Sequence, residues 1–356
     1  MIRKTKIIAT IGPATSSKKM LKKIIEKGVN VCRINFSHST HDEAKKIISR
    51  IKEINQELHV HTAILADLQG PKIRVGDFEK PIKLKKGSEV VFSTKKTKNT
   101  IHINYTRFPK DVVSGDKILL DDGKISLEVL STNKKNQVKL KVLFGGILRS
   151  NKGVNLPNTN ISLPCLTKKD KKDLWFVLDQ KIEWIGLSFV RSANDIKVLR
   201  QIIKKHKRHH RIIAKIEKSE AIKSIDSIIK EADAIMVARG DLGVEIPTHK
   251  VPVLQKSIVE KCIKNAKPVV IATQMLESMT TNPTATRAEY NDVANSVIDG
   301  ADALMLSGET SVGKHPVKCI NTMRSIIKDV ERSEHNISKN LELMAKYDEL
   351  LFKVND

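Results

Sequence analysis

Lys215 and Glu217 stand two residues apart where the apolar run "RIIAKIEKSEA" gives way to charge. Side chains alternate faces along a strand, so the ammonium and the carboxylate leave on one side and Ile216 on the other. In isolation the pair would read as an exposed ion pair at a strand end. Six other apolar runs end in polar groups too. "VNVCRINFSH" carries Arg33, Asn35, Ser37 and His38, "TAILADLQGPKIR" carries Asp67, Lys72 and Arg74, and "IEWIGLSFV" carries Ser188. "ADAIMVARGD" ends in Arg239, Gly240 and Asp241, "KPVVIATQ" in Thr273 and Gln274, and "ADALMLSGE" in Ser307 and Glu309. Lys215, Arg33 and Arg74 supply positive charge, and Glu217 and Asp241 supply hard oxygen ligands. Two carboxylates with open positions suit Mg²⁺ or Mn²⁺, which keep water and take phosphate oxygens as further ligands. Cations gathered around such a metal describe phosphoryl transfer, where catalysis is largely positioning and charge stabilisation. The "RGDLG" turn offers backbone N–H groups to an anion. A Walker A loop, a G-x-G-x-x-G fingerprint and a nucleophile elbow are all absent from the sequence.

Seven strand ends of this kind need an architecture that makes them converge. "KIIATIG" is the first strand, and "SSKKMLKKIIEKG" follows as a helix with a Ser N-cap and a Gly stop. "HDEAKKIISRIKEINQEL", "ANDIKVLRQIIKKH", "SEAIKSIDSIIKEA" and "VPVLQKSIVEKCIKNA" read as further helices between strands. Eight apolar strands alternating with helices predict an α/β fold, a (β/α)8 TIM barrel whose active site lies at the C-terminal strand ends. A doubly wound open sheet is the structural alternative. Between residues 76 and 160 the pattern turns to β: "PIKLKKGSEVVFS", "HINYT", "DKILLDDGKISLEVL" and "NQVKLKVLFGG", with turn signals between them. A structureless loop of that length is improbable. It reads as an inserted all-β lid domain, a small β-barrel after strand 3, over the barrel mouth. The expected division is 1–75 and 161–334 for the barrel, 76–160 for the insertion and 335–356 for a helical, polar tail.

The chain of 356 residues is 40% hydrophobic and 29% charged, which is globular composition. No run approaches the roughly 20 apolar residues of a membrane helix, and the N-terminal apolar stretch is too short for a signal peptide. Cys32, Cys165, Cys262 and Cys319 are scattered, which predicts reduced thiols and a cytoplasmic protein. The net charge of +24 comes mostly from dispersed Lys. With aromatics at 4%, stacking platforms are scarce, so a nucleic-acid partner is not expected.

Taken together, "TKIIATIGPAT", "CRINFSHST", "ADLQGPKIRVG", "LLDDGKISLEV", "KGVNLPN", "AKIEKSE", "MVARGDLGVEIP", "ATQMLESM", "PTATRAEYNDVAN" and "DGADALMLSGETSVGKHP" resemble pyruvate kinase over nearly the whole chain. The resemblance implies phosphoryl transfer from phosphoenolpyruvate to ADP, giving pyruvate and ATP. It makes Lys215 and Arg33 the groups on the transferring phosphoryl, and Glu217 and Asp241 the Mg²⁺ (or Mn²⁺) ligands. Gly240, Asp241 and Thr273 would seat the substrate carboxylate, and Thr273, Ser307 and Glu309 would lie where the enolate is protonated. Asn35, Phe36, Ser37, His38, Arg74 and Lys152 would line the nucleotide side. The insertion would close as a lid.

Two departures from the family pattern carry expectations. Members that bind K⁺ do so at positions matching Asn35, Ser37, Asp67 and the Leu68 carbonyl, and typically carry Glu where this chain has Lys72 and Thr where it has Leu68. Leu68, Gln69, Lys72 and Val75 together resemble the K⁺-independent branch, so K⁺ is expected to be dispensable, with the Lys72 ammonium in its place. The family also continues into a C-terminal α/β effector domain, whereas this sequence stops at Asp356. The expectation is a chain without that domain, and a homo-dimer in place of the usual tetramer. Two further readings are a catalytically weak relative that binds through its basic surface, and another metal-dependent enolate-forming barrel enzyme such as an aldolase. ADP dependence of pyruvate formation separates the latter.

Overall fold

The eight apolar runs become strands because both of their faces can be buried, one inside a closed sheet and one under helices. In the computed structural model, which describes residues 3–157, 159 and 161–333, they are β1 (Lys6–Ile11), β2 (Val31–Asn35), β3 (Ala63–Asp67), β4 (Trp184–Leu187), β5 (Arg211–Ile216), β6 (Ala234–Ala238), β7 (Val269–Ala272) and β8 (Ala303–Leu306). All pair in parallel. β1 pairs with both β2 and β8, so the sheet closes into a barrel and the open-sheet alternative is excluded.

The pleat decides what enters the barrel. Ile8, Leu65, Ile213, Met236, Val270 and Met305 pack against one another inside it. Their chain neighbours, among them Ile7, Ala66, Ile212 and Ile271, belong to the larger core beneath the helices. Two residues beyond Leu65 is Asp67, and two beyond Ile213 is Lys215. Both therefore leave on the inner face at the C-terminal rim, where the apolar filling stops.

The helices match the expected segments closely. His41–Leu58 starts with a Thr40–Glu43 capping box, and Ser17 Oγ accepts from Met20 N at the start of Lys18–Glu26. The single helix expected over 219–232 is instead two, Ser219–Lys223 and Ile225–Glu231. They meet at Ser224, a residue type whose hydroxyl competes for backbone partners and favours helix ends. The expected tail at 335–356 lies outside the described residues. Among the described residues no helix is long and apolar enough to cross a membrane, and all four cysteines are buried and free.

Between β3 and β4 the chain forms a six-stranded sheet, in the order Val154–Asn155, Lys117–Leu120, Ile125–Thr132, Gln137–Phe144, Glu89–Ser93 and Ile101–His102, and a separate pair, Ile82–Leu84 with Gly146–Leu148. These strands pack on a core of their own that includes Phe92, Tyr105, Phe108 and Leu140. Two expectations are amended. The described strands do not close on themselves as a barrel, and the segment carries one short helix, Phe108–Asp111.

Candidate active site

Arg33 on β2, Asp67 on β3, Ser188 after β4, and Lys215 and Glu217 from β5 meet at the barrel's C-terminal rim. Lys215 Nζ donates to Asp67 Oδ1 and Oδ2 at 3.1 and 3.2 Å and to Ser188 Oγ at 2.7 Å, and lies 3.0 Å from Glu217 Oε1. Arg33 holds Asp67 Oδ2 from the other side, through Nε at 2.7 Å and Nη2 at 2.6 Å, while its Nη1 donates to Thr10 Oγ1 at 2.9 Å. Ser188 Oγ in turn donates to the Leu68 carbonyl at 2.7 Å. Asp67 is thus the tie between two cations. Its charge and its place on an inward parity are legible in sequence, but its partners are not.

The electrostatics follow from burial. Burial would raise the Asp67 carboxyl, but Lys215 and Arg33 outweigh it and hold it below the usual range. Burial opposes the Lys215 charge, yet Asp67 and Glu217 keep the ammonium above its usual value. Glu217 goes the other way. Burial, with Asp241 and Asp67, pushes its carboxyl up despite the contact with Lys215, because one ammonium is shared between two carboxylates. Glu217 Oε2 accepts from Phe189 N at 2.7 Å, and Phe189 presents that N–H from a left-handed backbone (φ 55°).

Asp241 lies in the first turn of the short helix Arg239–Glu245 after β6, and Lys72 Nζ stands 3.1 Å from its Oδ1. The Lys72 ammonium also lies 6.0 Å from the Phe189 ring centroid. Behind this pair Lys218 and Glu245 form a buried ion pair at 2.7 Å, and Asn155 Nδ2 of the inserted segment donates to Glu245 Oε1 at 2.8 Å. Sequence reading missed this link between barrel and insertion, since neither Asn155 nor Glu245 sits in a pattern that marks it.

A third group lies at the ends of β7 and β8. Thr273 and Gln274 both adopt positive φ, 74° and 55°. For a β-branched residue this conformation is an outlier costing on the order of 1–3 kcal/mol. Gly240 N donates to Thr273 Oγ1 at 2.9 Å, so the amide expected to seat an anion is held by the threonine hydroxyl. Glu309 is fully buried and accepts from Leu276 N at 3.1 Å and from Ser307 N at 2.7 Å. With a backbone donor on each oxygen, it binds the β7 and β8 turns together.

Next to the β8 turn, over the ends of β1 and β2, a cleft of about 530 Å³ is lined by residues including Gly12, Pro13, Asn35, His38, Ser39 and Val312. Of these, only Asn35 and His38 were expected from sequence. Burial, with Arg74, Arg33 and Lys72 nearby, holds the His38 imidazole below its usual pKa, hence neutral at pH 7. Arg74 Nη1 donates to the Asn151 carbonyl at 2.8 Å, and Lys152 pairs with Asp121 at 2.8 Å. Both cations are therefore anchored on the inserted segment. Three of the four groups expected around K⁺ have partners: Asn35 Oδ1 accepts from Ser37 N at 3.0 Å, Asp67 is held by Arg33 and Lys215, and the Leu68 carbonyl accepts from Ser188 Oγ.

Gly186 faces this cluster from β4. A Cβ there would stand 3.0 Å from Asp67 Oδ1. Gly186→Ala is expected to push Asp67 off its cations and to cost about 1–3 kcal/mol of stability, as overpacking does. Denaturant unfolding would read the loss, and an unchanged midpoint would mean that Asp67 has room to yield.

The comparisons with known proteins agree with the barrel fold. The family described as "Pyruvate kinase, barrel domain" matches residues 2–320. The chain is 47% identical over 342 residues to a pyruvate kinase of Geobacillus stearothermophilus, and 44% identical over 338 residues to one of Staphylococcus aureus. Each match covers 94% of this chain and 58% of the relative, so the chain spans less than two thirds of their length. A crystal structure of a pyruvate kinase from Cryptosporidium parvum superposes with a TM-score of 0.89 at 40% identity, covering 92% of this chain and 69% of that one.

Proposed function

Because the chain belongs to the pyruvate kinase family through its barrel domain, we propose that it transfers the phosphoryl group of phosphoenolpyruvate to ADP, giving pyruvate and ATP. The observation that carries this reading is the Lys215 ammonium, buried among Asp67, Glu217 and Ser188 at the barrel rim beside Arg33. A cation so constrained is preorganised for charge that develops on a transferring group. In the transfer the P–O bond to the enol oxygen breaks, a β-phosphate oxygen of ADP takes the phosphoryl, and the enolate carbon takes a proton. Lys215 and Arg33 hold the phosphoryl oxygens. Gly240, Asp241 and Thr273 orient the carboxylate, and Ser307 faces the protonation step with its backbone held by Glu309. Asn35, Ser37, His38, Arg74 and Lys152 receive the nucleotide beside the cleft that includes Pro13. Phe36, expected there from sequence, is instead buried in the helix-side core against Phe176 and His41 and supports the turn after β2 from beneath.

The donor set fits a hard divalent cation. Glu217 is a buried carboxylate whose charge is opposed by burial and by Asp241, a penalty that a doubly positive ion relieves. Among the described residues no cluster of three or more His, Cys, Asp or Glu could hold a metal, so Glu217 and Asp241 would leave the remaining positions to water and substrate oxygens. Bound there, Mg²⁺ or Mn²⁺ would neutralise charge on the phosphoryl oxygens.

The test is pyruvate formation from phosphoenolpyruvate and ADP with Mg²⁺ in K⁺-free buffer. Lys72 already places an ammonium on Asp241, and Asn35 Oδ1, Asp67 and the Leu68 carbonyl of the K⁺ position already accept hydrogen bonds. Turnover is therefore expected without K⁺, and added K⁺ should leave the rate unchanged. A large activation by K⁺ would overturn the Lys72 argument. Silence with and without K⁺ would overturn the phosphotransfer reading.

A further inference from the structure

Arg239 is the first residue after β6, and its guanidinium turns away from the phosphoryl side towards the β7 turn. Its Nη2 donates to the Thr273 carbonyl at 2.8 Å and to the Gln274 carbonyl at 3.3 Å, and lies 2.9 Å from Met275 Sδ. Its Nη1 is anchored by Asp292 Oδ1 at 2.7 Å, with Gln255 Oε1 at 3.5 Å. The two carbonyls it grips belong to the two consecutive residues with positive φ. Such a turn persists only when its surroundings over-determine it. Relaxed, the chain would swing the Thr273 hydroxyl away from Gly240 N, the amide next to Arg239 itself.

We infer that Arg239 is a positioning residue. It clamps the Thr273–Gln274 turn in its left-handed conformation and so sets the place of the Thr273 hydroxyl relative to the Gly240 amide. The clamp acts from the β6 turn onto the β7 turn and is itself braced by the helix Arg287–Ile298, which carries Asp292. Lysine keeps the charge but cannot reach two carbonyls and a carboxylate at once, since it lacks the planar fork. The inference rests on the proposed phosphotransfer for its kinetic consequence and on geometry alone for its structural one.

Both consequences are measurable. Arg239→Lys is expected to lower kcat by about 10²-fold, the effect of misplacing a reacting group by an ångström, while the KM for ADP stays unchanged. In a double-mutant cycle, Arg239→Lys added to Thr273→Ala should cost almost nothing further, because both remove the same positioned hydroxyl. Independently of turnover, the Gly240 amide should exchange with deuterated solvent faster in Arg239→Lys than in the wild type. Asp292→Asn removes the brace alone and should show the same pattern to a smaller degree, which preserves the test if Arg239→Lys does not fold. Multiplicative losses in the cycle, or unchanged kcat and exchange in Arg239→Lys, would overturn the clamp. A silent wild type with faster Gly240 exchange in Arg239→Lys would sink the phosphotransfer reading and leave the clamp standing. A silent wild type with unchanged exchange would remove both.

Discussion

Replacing Lys215 by methionine is expected to lower kcat by about 10³- to 10⁵-fold, the range for removing a cation that stabilises phosphoryl transfer. The same substitution is expected to destabilise the fold. Lys215 is buried and shared by Asp67 and Glu217, and breaking a buried pair from one side costs about 3–5 kcal/mol because the charge left behind has no partner. The two carboxylates do not suffer equally. Asp67 keeps Arg33, whereas among the described residues Glu217 keeps only the Phe189 N–H. The Glu217 carboxyl, already raised in the wild type, would rise further. A raised acid takes up a proton more readily in the folded state, so its favourable contribution is present at low pH and lost as pH rises. The stability deficit of Lys215→Met against wild type should therefore be largest at neutral pH and shrink as pH falls towards the usual carboxylate range. Calorimetric unfolding at several pH values reads this, and kinetics well below Tm read the rate. Retention of kcat within tenfold would remove Lys215 from the phosphoryl site.

Glu217→Gln is expected to separate function from stability. Loss of one of two metal-ligating carboxylates should weaken Mg²⁺ binding and lower turnover by about 10²- to 10³-fold, comparable to deleting a preorganised electrostatic group. Stability should change far less than in Lys215→Met, for two opposing reasons. The amide has one acceptor for the two donors at Lys215 and Phe189, which is unfavourable. It also removes a buried charge that Asp241 and Asp67 oppose, which is favourable. Mg²⁺ titration of the rate and thermal unfolding without metal together decide the matter. If the Mg²⁺ dependence stays that of the wild type, Glu217 is not a ligand. If Tm falls as far as in Lys215→Met, the wild-type Glu217 carboxylate contributes to stability.

Much of this site was legible before the fold was known. The alternation of strands places Lys215 with Ile213 and Asp67 with Leu65 on one inner parity, and a period of two survives any tertiary detail. The same rule made Lys215 and Glu217 neighbours from sequence alone, and the 3.0 Å contact bears that out. The helix His41–Leu58 was legible because its capping box is local. The break at Ser224 was not, because the apolar spacing runs straight through it.

By itself the sequence determined a parallel sheet flanked by helices, since eight apolar runs spaced by helices can bury both of their faces only with helices packed on the sheet. It also determined which charged types reach the strand ends. Closure into a barrel was decided by the tertiary pairing of β1 with β8. The tertiary structure alone decided how those charges are shared. Asp67 turned out to be the common partner of Arg33 and Lys215, Lys72 settled on Asp241, and Arg239 turned to the Thr273–Gln274 turn. Strand parity is a property of neighbouring residues. The partner of a buried charge is set by which groups from distant strands arrive within about 3 Å of it, and that is known only when the barrel closes.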